Sequence, residues 1–107
     1  ADEKFLKYIT DVIEQNISNS DLNVAKLAEL SGYNSKQIYR RVKQLTGYTT
    51  VDYIKGIRMK KAAMLLSQKQ FMISEVMYMV GYSDSSYFSK CFVEKYGKTP
   101  KQYMESK

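Results

Sequence analysis

Apolar residues recur at helical spacing along this chain, and no stretch alternates as a half-buried strand would. Phe5, Tyr8, Ile9, Val12, Ile13 and Ile17 fall at i, i+3, i+4, i+7, i+8 and i+12, with Lys4, Lys7, Asp11 and Glu14 off the stripe. This predicts an amphipathic helix that packs by one face. Asn16 to Asp21 is polar and without period, which predicts a loop. Asn23 is a candidate cap, flanked by Leu22 and Leu27 at hydrophobic-staple spacing, and the short helix it opens should end by Gly32. Asn34 and Gln37 have capping-box spacing and open the next helix. There Ile38, Val42 and Leu45 share an inward face, while Lys36, Arg40 and Lys43 share another with Tyr39 beside them. Gly47 closes that helix. Thr49 then caps a long segment reaching about Ser67, which carries Tyr53, Ile54, Ile57, Ala62, Leu65 and Leu66 and has no breaker except Gly56.

The second half repeats the first. Val24-x-x-Leu27-Ala28-x-Leu30-x-Gly32-Tyr33 returns 49 positions later as Ile73-x-x-Val76-Met77-x-Met79-x-Gly81-Tyr82. Gly47-x-Thr49-x-x-x-Tyr53 returns 50 positions later as Gly97-x-Thr99-x-x-x-Tyr103. Gln68 to Met72 reads as the connecting loop, and a helix opens at Ile73 with Glu75 in its first turn. After Gly81 the chain restarts at Ser83-Asp84-Ser85-Ser86, where short oxygen side chains can cap. Tyr87, Phe88, Cys91 and Phe92 are expected to face inward, leaving Ser85, Ser86, Ser89 and Lys90 outside. Thr99-Pro100-Lys101-Gln102 is a strong final helix start. The expectation is an all-α fold of about seven helices. Each copy reads as helix, glycine turn, helix, so the chain divides into a first helix-turn-helix unit at about 5–49, a linker helix at 50–67 and a second unit at 72–105.

Charge sharpens this picture. The net charge is +6, and Lys36, Arg40, Arg41, Lys43, Lys55, Arg58, Lys60 and Lys61 face only Asp52 between positions 36 and 61. That window alone is +7, so the basic character is local. A cationic stretch laid over a helix-turn-helix is the electrostatic footprint of a nucleic-acid binder. At 107 residues with 44% hydrophobic composition, the chain can pack a core of one domain or two very small ones sharing a helix. No apolar run approaches the roughly 20 residues of a membrane span, and a soluble, cytoplasmic, nucleoid-associated protein is expected. The lone Cys91, at helical spacing between Lys90 and Phe92, reads as a small core residue.

Gly32 to Lys43, the stretch Ile54 to Ala62, and Val80-Gly81-Tyr82-Ser83-Asp84-Ser85-Ser86-Tyr87-Phe88-Ser89-Lys90-Cys91-Phe92 with Gly97-Lys98-Thr99-Pro100 closely resemble the DNA-binding domain of AraC/XylS transcription regulators. The resemblance runs from about Phe5 to Tyr103. It implies two units joined by a linker helix, each placing its second helix in the major groove on one face of double-stranded DNA. Groove-facing residues would be Ser35, Lys36, Tyr39 and Arg40 in the first unit, with Lys43 toward a phosphate. In the second they would be Ser85, Ser86, Ser89 and Lys90, with Asp84 at the helix start. The sequence departs from the family pattern at Val42, where an aromatic is usual, at Met77, where a small residue is usual, and at Met72, where a capping residue is common. The resemblance further implies an upstream sensor or receiver domain outside this chain. The parent could then be a hybrid two-component sensor anchored in a membrane. A monomeric fragment, a dimeric parent and contact with RNA polymerase are the accompanying expectations.

Competing functions are weaker. There is no histidine, no nucleophile beside a base, no metal-ligand cluster and no phosphate loop, so neither enzyme activity nor a cofactor is expected. Ten tyrosines could stack RNA bases, but helical spacing sends most of them to cores or groove edges. The main alternative is a helical protein-interaction module whose basic face meets an acidic partner.

Overall fold

Short polar side chains open most of these helices and glycines close several of them. In the computed structural model, which describes Ala1 to Ser106, the elements are α1 (Asp2–Gln15), α2 (Val24–Ser31), α3 (Ser35–Thr46), α4 (Thr50–Gln68), α5 (Ile73–Met79), α6 (Ser85–Tyr96) and α7 (Pro100–Glu105). No strand occurs among the described residues. The described residues form an all-α fold of seven helices, as the periodicity predicts.

The caps form as their spacing predicts. Asn23 Oδ1 accepts the Lys26 N–H at 2.8 Å, and Thr49 Oγ1 accepts the Asp52 N–H at 3.1 Å. Asn34 with Gln37 and Thr99 with Gln102 make reciprocal capping boxes. Each such cap is worth about 1 kcal/mol, because it satisfies a backbone donor that has no partner within the helix. Met72 has no oxygen to offer at the start of α5, and only the returning half of the box is made there, with Glu75 Oε1 accepting the Met72 N–H at 2.7 Å. Gly32 and Gly81, in the two turns, have φ of 85° and 89°, where a Cβ would be strained.

The chain forms two compact units. The first comprises Ala1–Ile17 and Asp21–Ile57. Its core is Phe5, Ile9, Val12, Ile13, Leu22, Leu27, Ile38, Val42 and Ile54. Leu22 and Leu27 are both buried there, completing the staple. Tyr8 belongs to the α1 stripe by spacing but lies on its flank at 43% exposure, and its hydroxyl donates to the Ser31 carbonyl at 2.8 Å. Ile17 is buried although α1 ends at Gln15. The second unit comprises Ser18–Ser20 and the chain from Arg58 onward. Its core includes Met59, Ala62, Leu66, Val76, Met77, Val80, Phe88, Cys91 and Phe92. Met77, larger than the small residue usual there, is 4% exposed, so this core is packed around it. Phe92 meets Tyr103 edge-on at 5.3 Å, which ties α7 to α6.

Within α4, Gly56 occupies a helical position where a Cβ would meet nothing within 4 Å. A glycine in a helix interior costs backbone entropy that no close approach offsets here. Gly56→Ala should therefore stabilise the protein by roughly 0.5–1 kcal/mol, measurable as a rise in Tm by circular dichroism.

Candidate nucleic-acid interface

The face expected to meet DNA is generated by helical geometry on a short, well-capped helix. In α3, Ile38 and Val42 are fully buried and Leu45 is half-buried, which fixes the rotation of the helix. Ser35, Lys36, Tyr39, Arg40 and Lys43 then fall on the exposed side, with Tyr39 45% exposed. Lys43 Nζ donates to the Gly47 carbonyl at 3.1 Å, where a cation suits the negative end of the helix. Arg41, though adjacent to Arg40, turns toward α1. Its guanidinium carbon lies 3.9 Å from the centre of the Phe5 ring, and Nη2 is 3.4 Å from Asp2 Oδ1.

The second unit presents a different surface. Asp84 Oδ1 accepts the Tyr87 N–H at 2.9 Å and starts α6, from which Ser85, Ser86 and Lys90 project outward. Ser89 is half-buried. Phe88, Cys91 and Phe92 face inward as their spacing predicts, but Tyr87 does not. It is 49% exposed, because successive helical residues are about 100° apart and Phe88 already occupies the centre of the inward stripe. Tyr87 flanks the serine face, with its ring 5.9 Å from that of Tyr82. The position answers to Gln37 of α3 and is a surface residue that periodicity misassigned.

Arg58 is a larger correction. It contributes to the basic window in the sequence, yet it is 6% exposed and inside the second unit. Nη1 donates to the carbonyls of Val80 at 3.0 Å and Gly81 at 2.8 Å, and Nη2 to that of Asn19 at 3.0 Å. Burial pushes its pKa down, and the neighbouring Tyr82 opposes that shift. Its charge is spent on the turn rather than on solvent. The only signal for this in the sequence is its place between Ile57 and Met59 on a stretch that continues as the core-facing side of α4. That turn is also one residue longer than its counterpart, since Gly32 precedes the cap Asn34 by two positions and Gly81 precedes the cap Asp84 by three.

Comparison with known proteins identifies this architecture. A family model described as a helix-turn-helix domain matches residues 27–106. The C-terminal domain of AraT, a response regulator from Geobacillus stearothermophilus, matches with a TM-score of 0.86 and 32% identity over 94% of this chain and 84% of that one. The chain belongs to the AraC-type helix-turn-helix family. It is an AraC-type DNA-binding domain of the kind found in transcription regulators. Among curated relatives, Histidine kinase P4 of Formosa agariphila is 35% identical over 102 residues, which are 95% of this chain and 7% of the kinase. Transcriptional activator AggR of Escherichia coli is 34% identical over 101 residues, 94% of this chain and 37% of the activator. The chain thus spans well under two thirds of the length of these curated relatives. No helix among the described residues is long and apolar enough to cross a membrane.

One property of the AraC-type domain follows from burial of its second turn. The Tyr82 hydroxyl has its pKa raised well above the ordinary 10.0, first by burial and then by the neighbouring Cys91, with Arg58 opposing. Below 10 the phenol is protonated in both folded and unfolded chains. Above it the unfolded chain releases the proton while the folded one retains it, so stability falls as pH rises. Tyr82→Phe should flatten the alkaline arm of a plot of stability against pH, read by urea unfolding at a series of pH values. An unchanged slope would show that other groups set it.

Proposed function

We propose that this domain is the sequence-specific output element of a bacterial transcription regulator, and that α3 and α6 each enter a major groove of one duplex. The observation that carries the reading is the division of α3 into a fully buried apolar edge and an opposite edge bearing Ser35, Lys36, Tyr39, Arg40 and Lys43. Membership in the AraC-type family supports it. The unbroken run of α4 over 19 residues also supports two-groove binding. Such a helix is about 28 Å long and suits a spacer between grooves that recur about every 34 Å on one face of DNA. In this proposal Arg40 reads guanine through two parallel N–H donors, and Lys43 neutralises a phosphate. Lys36 and Tyr39 flank Arg40 in the same groove. Ser85, Ser86 and Ser89 reach phosphates and bridging waters, Lys90 a phosphate or guanine, and Asp84 caps the helix beside them.

The domain is proposed to act by binding and not by catalysis, consistent with relatives that are mostly transcription regulators. Its signal is proposed to come from a sensor or receiver domain elsewhere in a longer, dimeric parent, with the regulator in the cytoplasm and RNA polymerase as a second partner. A response-regulator output domain among its likenesses and a histidine kinase among its relatives favour a two-component setting.

Two measurements test this reading. Affinity for duplex DNA should fall steeply between about 50 and 200 mM salt, since each neutralised phosphate contributes about 0.9 to the log–log slope. A flat response would favour an apolar protein partner instead. Arg40→Ala should cost roughly 1–3 kcal/mol on the preferred site and relax selectivity at one base pair, whereas Lys90→Ala should weaken preferred and scrambled duplexes more nearly alike. Binding of both variants to both duplexes at fixed salt decides the matter. Greater loss of selectivity in Lys90→Ala would reverse the assigned roles.

A further inference from the structure

Both units fasten their turns by one device made from different residues. In the first, the Tyr8 hydroxyl on α1 donates at 2.8 Å to the carbonyl of Ser31, the last residue of α2 before Gly32. In the second, Arg58 on α4 donates to the carbonyls of Val80 and Gly81 at 3.0 and 2.8 Å. The two donors are positional equivalents. Advancing α1 by 50 positions brings Ile9, Val12 and Ile13 into register with Met59, Ala62 and Ala63, all six buried, and carries Tyr8 onto Arg58. Each donor also lies beside the tyrosine that follows the turn glycine. The Tyr8 and Tyr33 ring centres are 6.2 Å apart, and the Arg58 guanidinium carbon is 5.6 Å from the centre of the Tyr82 ring.

The difference between the donors follows the difference between the turns. The shorter first turn presents one carbonyl to a single hydroxyl. Its Tyr33 N–H is taken by Ser31 Oγ at 3.3 Å, so the remainder of the turn is satisfied locally. The longer second turn presents two successive carbonyls and meets a guanidinium, whose planar array of donors can hold both. Asn34 and Asp84, the caps of α3 and α6, lie only three residues beyond the last fastened carbonyl in each unit. A carbonyl held by a fixed side chain cannot drift toward water, so the backbone that delivers the recognition helix is held with it.

We propose that Tyr8 and Arg58 are positioning residues for DNA recognition: each fixes the turn of its own unit, and with it the approach angle of the helix that follows, without touching DNA. The inference rests on the assignment of α3 and α6 as recognition helices. Each should therefore govern selectivity at the base pairs its own unit reads and leave the other half of the site alone. Loss of global stability would instead lower the binding-competent fraction on every duplex and leave discrimination in both halves unchanged.

The test starts from a duplex selected out of a random pool by the wild-type chain, with base pairs in each half changed in turn. Wild type, Tyr8→Phe, Arg58→Met and Arg58→Lys are compared at a temperature where circular dichroism shows them folded. Tyr8→Phe should reduce mismatch discrimination by roughly five- to tenfold in the half read by α3, near the lower end of what one bidentate base contact is worth, and leave the other half unchanged. Arg58→Met should do the reverse, and Arg58→Lys should recover part of the loss. Should Arg58→Met fail to fold, Tyr8→Phe and Arg58→Lys decide. Wild-type discrimination by both of these, or an equal loss in both halves, would overturn the inference. Failure of the wild-type chain to select any duplex would instead overturn the reading of α3 and α6.

Discussion

A turn between two short helices leaves carbonyls that neither helix can satisfy, and in a small protein those carbonyls lie too close to the core for water to serve them freely. In the second unit this constraint is met by burying a cation. Arg58 is taken out of solvent to reach Val80, Gly81 and Asn19. An unpaired guanidinium at that depth would be costly, but three carbonyl acceptors and the Tyr82 ring compensate for the water it loses. Much of the second unit is arranged around that exchange. Val80 and Tyr82 are buried on either side of Gly81, and Phe88, Cys91 and Phe92 seat α6 in the same core.

Most of the fold was legible because its signals are local. Caps at Asn23, Asn34, Thr49, Asp84 and Thr99, and left-handed glycines after α2, α3 and α6, are chemistry read within a few residues. The apolar stripes of α1 and α3 were equally plain. What the sequence concealed depends on contacts between distant segments. Arg58 and its carbonyl partners at Val80 and Gly81 are more than 20 residues apart, and no local pattern separates a buried arginine from an exposed one. Arg41 is similar, since its stacking on Phe5 and its pairing with Asp2 cross from α3 to α1. Tyr87 was misassigned for a different reason. Two adjacent aromatics on one helix compete for a single inward direction, and Phe88, with Cys91 and Phe92 at i+3 and i+4, takes it.

These corrections change what the cationic window means. Of its eight basic residues, Arg58 is committed to the turn of the second unit and Arg41 to the packing of the first. The exposed cations of α3 are then Lys36, Arg40 and Lys43, set around Tyr39 on one face. On α6 the corresponding face carries serines and Lys90, bordered by the Asp84 carboxylate and the Tyr87 ring. The exposed faces of α3 and α6 share a scaffold but differ sharply in charge and reach. Repetition of the fold has not imposed repetition of the chemistry.

The extra residue in the second turn matters for any attempt to exchange specificity between the halves. The repeat runs at a spacing of 49 from Val24 and Ile73 through Tyr33 and Tyr82, and at 50 from Asn34 and Asp84 onward, with Ser83 as the added residue. Grafting by the first spacing would set Arg40 against Ser89 and turn every transplanted side chain by about 100° around the helix. By the second spacing Arg40 falls on Lys90, Tyr39 on Ser89 and Lys36 on Ser86. A single serine in a loop thus marks where the phase of the repeat changes, and a graft aligned without it would set Tyr39 at Phe88 and Lys43 at Phe92, aiming a phenol and an ammonium into the second unit's own core.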